Sequence, residues 1–161
     1  MHIALIRFAL VAPVGDIGSE STPPIGLAYL SAVAKKHGAT IVGVDASGMD
    51  LNKSFKISKY NLQGNGLSLN EIMPLVHPDT KLIGITSMFS HEWPYVRDCI
   101  NETKKRFPNA KIIIGGEHAT ALPEYNLRDC EGVDYIALGE GEETWSKIIT
   151  KLKILNLISR L

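Results

Sequence analysis

The stretch that most limits what this chain can fold into is Lys111–Thr120, KIIIGGEHAT. Ile112–Ile114 run without interruption into Gly115–Gly116 and then the polar pair Glu117–His118. A half-solvated strand shows a polar residue at every second position. A continuous apolar run bounded by glycine instead fits a strand covered on both faces, as in a parallel sheet. Glycines at its end let the backbone turn sharply and let a flat ligand approach without meeting a Cβ. In open α/β sheets, ligands sit beyond the carboxyl ends of the strands. Gly115–Thr120 therefore reads as a binding loop.

Such a strand needs parallel partners, and the chain supplies them at regular intervals. His2–Ala9 reads as the first strand, followed by a loop, Val11–Thr22, that carries Pro13, Gly15 and Gly18. Thr22 is placed to cap a helix whose first turn holds Pro23 and Pro24. Leu27, Leu30, Val33 and Ala34 form its apolar stripe, and Gly38 closes it. Thr40–Asp45 is the second strand. Ala46–Gly66 is polar, dotted with glycine and gives no clear element, after which a helix is expected around Ser68–Val76, with Ser68 and Glu71 as a capping box. Lys81–Ser87 is the third strand, and a loop, Met88–His91, leads to a helix over Glu92–Phe107. That helix has Trp93, Val96, Ile100 and Phe107 on one face and Pro94 in its first turn, where proline is tolerated. Beyond the fourth strand come a short helix near Leu122–Arg128, a fifth strand at Asp134–Leu138, the segment GEGEE, and a final helix from about Glu142.

Five strands alternating with helices predict one domain over residues 1–161. Its core is a doubly wound five-stranded parallel sheet, a Rossmann/flavodoxin-like three-layer sandwich. Right-handed crossovers place the strand-to-helix loops on one rim. Four loops then share that rim: Ala12–Thr22, Ser87–His91, Gly115–Thr120 and Gly139–Glu143.

Charge and cysteine content narrow the function classes. Seventeen basic and seventeen acidic residues balance, so no global field favours nucleic acid or an anionic membrane. No stretch approaches the roughly 20 apolar residues of a membrane span. MHIALIRFALVAP has no basic leader and reads as a strand rather than a signal peptide. Cys99 and Cys130 have no CxxC spacing, which suits unpaired thiols in a reducing, cytoplasmic compartment.

In order, PPIGLAYLSAVAKKHG, the DA that ends the second strand, ITSMFSHEWP, IIIGGEHATALPE and ALGEGEETW resemble the cobalamin-binding domain at the N-terminus of many radical S-adenosylmethionine enzymes. The likeness runs from about Pro23 to Trp145. It implies that Ser87 and Gly115–Gly116 line a slot for the nucleotide tail. The Ser87 hydroxyl bonds phosphate or base there, and the glycines leave room. It further implies that Met88 and Phe89 contact the corrin plate and that His118 lies beside the corrin, flanked by Glu117 and Ala119. Gly139 and Gly141 turn the chain near the base of the tail, and Glu140 bonds ring or ribose groups. A valine at Gly116 is then expected to block the cofactor while leaving the fold intact.

The chain departs from related domains in two places. Many carry Asp-x-His-x-x-Gly after the first strand, with the histidine on cobalt; here no histidine occurs between Ile3 and Lys36. The expectation is cobalamin held with no histidine ligand from that loop. The related enzymes also continue into a barrel whose CxxxCxxC motif holds a 4Fe-4S cluster and S-adenosylmethionine. The two isolated cysteines here cannot hold a cluster, so those cofactors are expected only in a missing domain, and the chain is expected to be either a fragment of a longer enzyme or a free-standing carrier domain. On this reading the chain binds rather than catalyses, as the cofactor domain of a methyltransferase-like, cobalamin-dependent radical SAM enzyme that carries out methyl transfer or related radical chemistry, with a radical SAM barrel in the same or another chain as its partner. The apolar KLKILNLISRL, with Leu152, Ile154, Leu155, Leu157, Ile158 and Leu161, is expected to cap the core or meet that partner.

Other readings stand beside this one. His91, Glu92, Glu117 and His118 have the donor types of a metal-binding enzyme site, though such residues also serve as helix caps. A flavodoxin-like signalling module would need a phosphate-accepting acid after the third strand, where Ser87 and Met88 stand. Asp45 is placed like the ribose acid of a dinucleotide fold, yet no GxGxxG precedes it. Trp93 fits core packing, and Glu142 and Glu143 suit a helix N-terminus through its dipole. No nucleophile–base pair stands out, and no catalytic residue is assigned.

Overall fold

The computed structural model describes residues 1–16 and 22–158, the side chains of 155–158 excepted. Gly18, Leu161 and the side chains of Leu155, Leu157 and Ile158 therefore lie outside the described residues. The elements are β1 (His2–Arg7), β2 (Leu10–Pro13), α1 (Ile25–Lys36), β3 (Thr40–Asp45), α2 (Ala46–Met49), β4 (Ser54–Ile57) and β5 (Leu62–Asn65). They continue with α3 (Leu69–Ile72), β6 (Thr80–Thr86), α4 (Trp93–Arg106), β7 (Lys111–Gly115), α5 (Glu117–Ala121), α6 (Pro123–Asp129), β8 (Tyr135–Ile136) and α7 (Gly141–Ile158).

The main sheet has five strands in the order β3-β1-β6-β7-β8, and every neighbouring pair is parallel. In chain order this is second, first, third, fourth, fifth, the flavodoxin-like arrangement with its switch point between β1 and β6. Burial on both faces explains the unbroken apolar runs. Ile3, Leu5, Leu82 and Ile113 pack with Ala34, Trp145 and Ile149 of α1 and α7. Ala4, Ile6, Ile83, Ile85, Ile112 and Ile114 turn the other way, towards Trp93, Val96 and Ile100 of α4. Among the described residues, no helix is long and apolar enough to cross a membrane.

Several boundaries differ from expectation. The first strand ends at Arg7, and Leu10–Pro13, read as strand end and loop, forms β2 of a second, antiparallel sheet ordered β2-β5-β4. Two of its strands lie within the stretch 46–66, and the sheet packs Phe55, Ile57 and Leu62 against the α4-side core. Thr22 does not cap α1. The helix begins at Ile25 behind Pro24, which serves as its N-cap with ψ 80°, and Pro24 in turn keeps Pro23 out of the helical region. The Ser68–Glu71 capping box is present. Pro94 lies in the first turn of α4, which starts at Trp93 after a 3-10 turn at Ser90–Glu92. The loop expected over Gly115–Thr120 is shorter, because α5 starts at Glu117.

Candidate functional site

At the carboxyl end of the sheet, beside the switch point, lies a cavity of about 1010 Å³. That is at the upper end of the ~300–1,000 Å³ usual for small-molecule sites. Gly84, Ile85, Ile113 and Ile114 of the central strands line its depth. Leu27 and Leu30 of α1, with Gly141 and Trp145 of α7, form one wall, and Phe8–Pro13 form part of the opposite one. Ile25, Met88 and Phe89 also border it, and they are 70%, 42% and 52% exposed. Apolar surface left that open beside a deep cavity suits the edge of a large flat ligand.

Of the residues singled out from sequence, Met88, Phe89, Gly115, Gly116, Gly139, Glu140 and Gly141 line the cavity together. Ser87, Glu117, His118 and Ala119 do not. Ser87 is 1% exposed, directly before Met88, and its N–H donates to the Gly115 carbonyl at 2.7 Å. Its Oγ has no hydrogen-bond partner in the protein, and a buried hydroxyl left unpaired is costly unless something else satisfies it.

Glu117 is exposed. His118 is buried, its Nε2 2.8 Å from Asn126 Oδ1 and its Nδ1 2.9 Å from Ser90 Oγ, with its ring 4.9 Å from that of Trp93. Burial lowers its affinity for a proton, an effect that the Asn126 contact opposes only in part. Ala119 is fully buried.

Gly116 is the N-cap of α5 at φ +110° and ψ 179°, a conformation that is essentially glycine's alone. A Cβ there would sit 2.6 Å from the Ser87 carbonyl oxygen and 2.9 Å from Met88 Sδ. Glycine at 116 therefore lets two strand-end loops touch. The expectation that valine at this position leaves the fold intact is overturned. Gly115 differs, since its Cβ would meet only Ala137, at an ordinary 3.6 Å.

The metal-site reading is also corrected. Among the described residues, no three His, Cys, Asp or Glu side chains are placed to hold a metal ion. Both nitrogens of His118 are engaged as above. Glu92 is buried and accepts from the Val11 N–H at 3.4 Å. Burial pushes its carboxyl up, against the opposing pull of Val11, His91 and Arg7. Cys99 and Cys130 are buried free thiols.

Sequence reasoning missed several cavity residues. Arg7 ends β1 in the cavity wall. Its Nε and Nη2 donate to Asp45 at 2.7 and 2.8 Å, and its Nη1 donates to the Thr22 carbonyl at 2.7 Å. Asp45 is thereby committed to holding Arg7 and to capping α2 through the Gly48 N–H. The signal was available as a strand-end arginine level with a strand-end acid. Leu30 and Trp145 were visible only within a helical stripe and a motif, and nothing in the sequence set Gly84 beside a cavity.

Residues 72–149 match the B12 binding domain family. The matched segment contains Ser87, both glycine pairs at the rim and Trp145. The chain is also similar to a Pyrococcus horikoshii protein described as an uncharacterized methyltransferase, 28% identical over 158 residues. It is 32% identical over 130 residues to the cytidylyl-2-hydroxyethylphosphonate methyltransferase of Streptomyces wedmorensis. These alignments cover 94% and 77% of this chain but only 29% and 23% of the relatives. The chain thus corresponds to less than a third of either relative's length. Together the matches support a cobalamin-binding domain.

Proposed function

We propose that this chain binds cobalamin at the carboxyl end of its parallel sheet, as the cofactor domain of a cobalamin-dependent radical SAM methyltransferase. The observation that carries the reading is the largely apolar cavity at the switch point, with an exposed apolar edge. A corrin is a wide plate with a narrow nucleotide tail, and an open rim above a deep slot suits both parts. Met88 and Phe89 would meet the plate. Gly115, Gly139 and Gly141 would leave room for the tail, and Ser87 and Glu140 would bond its polar groups.

When bound, cobalamin supplies a cobalt-carried methyl group. The protein's part is to bind and orient it, and the first loop, Ala12–Thr22, would contribute no histidine to it. S-adenosylmethionine and its iron–sulfur cluster belong, on this reading, to a barrel outside the chain. The names of the two relatives support methyl transfer.

The test is to mix the protein with hydroxocobalamin, desalt it and record the absorption spectrum. Corrin bands retained at one equivalent support the proposal, and a colourless protein fraction overturns it.

A further inference from the structure

The two edges of the main sheet are not alike. β8 is two residues long, and an edge that short offers little to another strand. β3 runs for six residues, Thr40–Asp45, in unbroken register with β1. Among the described residues, no strand pairs with its other side. Thr40 and Gly43 are exposed and Ile41 and Val42 only partly buried, whereas β1 is buried from Ile3 to Ile6. Long edges are normally guarded by lysine, proline, a bulge or a covering element. Between Thr40 and Val44 there is no charge, no proline and no bulge. Asp45, the one charged residue of the strand, is committed to Arg7 and to the Gly48 N–H.

Hydrogen bonding fixes which amides face outwards. The Thr40 N–H donates to the Met1 carbonyl at 3.0 Å, so Thr40 faces β1. Backbone groups along a strand alternate sides. Val42 and Val44 therefore face β1 as well, and Ile41, Gly43 and Asp45 present their N–H and C=O to the open side. A second β3, turned about a two-fold axis, carries the same row at the same spacing. With the two Gly43 residues opposite each other, each donates its N–H to the other's carbonyl, and Ile41 falls opposite Asp45. No like charges meet in that register. Sliding one copy by two residues sets Ala39 opposite Asp45, but the Ala39 N–H already donates to the Ala34 carbonyl at 3.1 Å.

The neighbouring helices do not stand in the way. α1 lies over β1 and β3, so strand pairing at about 4.8 Å brings the two α1 helices to roughly 10 Å, a normal packing distance. α7 lies along the side of α1 that leads to His37, whose Nε2 is 2.8 Å from Ser146 Oγ. The other side of α1 carries Ala28 and Ser31, which are small enough to leave room.

We infer that two copies of this chain associate through their β3 edges, antiparallel and centred on Gly43, to make one continuous sheet across a two-fold axis. The inference is independent of the cobalamin reading, because no residue of β3 lines the cavity.

Sedimentation equilibrium of the ligand-free chain over micromolar concentrations is expected to show a monomer–dimer equilibrium. Gly43 has no positive φ, and a Cβ there meets nothing within 4 Å. Gly43→Lys and Gly43→Glu should therefore each fold, with Tm unchanged or raised. Each sets like charges opposite one another across the axis and should raise the dimer Kd about fivefold. An equimolar mixture of the two variants sets lysine opposite glutamate and should dimerise at least as tightly as the unmutated chain. An unmutated chain that stays monomeric, a dimer indifferent to both charges, or a mixture no tighter than the separate variants overturns the inference.

If either variant fails to fold, amide exchange in the unmutated chain decides. The Gly43 N–H must exchange more slowly as the protein concentration rises, and a rate independent of concentration overturns the inference.

Discussion

Replacing Gly116 separates what the fold requires from what a ligand requires. The residue sits at φ +110°, where any side chain costs about 1–3 kcal/mol of backbone strain. Its Cβ would also press within 2.6 Å of the Ser87 carbonyl oxygen and 3.0 Å of the Ser87 carbonyl carbon. Both are backbone atoms of a neighbouring strand exit, so rotating a side chain gives no relief. Gly116→Ala is therefore expected to lower Tm by roughly 3–10 °C for a chain of this size, read by circular dichroism on the ligand-free protein. Gly115→Ala, whose Cβ meets only Ala137 at 3.6 Å, should stay within about 2 °C of the parent. Gly115→Val adds bulk to the cavity wall at a strand position that accepts β-branched residues, and it should keep the fold while losing hydroxocobalamin on desalting. A Gly116→Ala protein as stable as the parent would refute the claim that two loops meet at this glycine.

Removing the Ser87 hydroxyl should act on the ligand alone: Ser87→Ala leaves Tm unchanged or slightly raised, because the Oγ is unpaired, but weakens hydroxocobalamin binding about three- to tenfold in a titration. The His118 pKa is lowered from 6.5 chiefly by burial, so the unfolded chain binds its proton more readily. Its contribution is complete above 6.5 and is lost as pH falls from there towards the folded value. The Tm of the unmutated protein should therefore decline over that window, and His118→Gln should flatten this part of the curve. A parallel decline in both proteins would remove His118 as its source. Asp134 accepts from Lys104 and Lys111 at 2.7 Å and from the Ile112 N–H at 2.8 Å. Burial pushes its carboxyl up, but these donors outweigh burial and hold it below its usual range. Asp134→Asn should cost about 1–3 kcal/mol in urea unfolding, and no change in midpoint would show that the clamp contributes nothing.

The main sheet was readable because each central strand is buried on both faces and so appears as an unbroken apolar run. Ile112–Ile114 is the clearest case, with Ile113 facing α7 and its neighbours facing α4. The Ser68–Glu71 cap was readable because both partners lie within one turn. The second sheet was not. Its strands are four residues long, and β5, LQGN, has little strand propensity and a central glycine, so long-range pairing rather than local preference decides it. The rim glycines were legible as a cavity edge, but Gly116 answers first to the Ser87 backbone. His118 looked like a rim group because its sequence neighbours are. The start of α5 at Glu117 turns it instead into the core, onto Asn126 and Ser90. Trp145 stood in plain view at the end of a matched motif. Its place in the cavity depends on Gly84, which lies far away in sequence.

The central claim is that the slot between α7 and the strands β6 and β7 admits the tail of a corrin cofactor. A crystal structure of the protein with hydroxocobalamin tests it most directly. The account predicts the corrin over Met88 and Phe89 at the rim, with the nucleotide tail descending past Gly115. A structure with the corrin bound elsewhere, or with its tail outside this cavity, would contradict it.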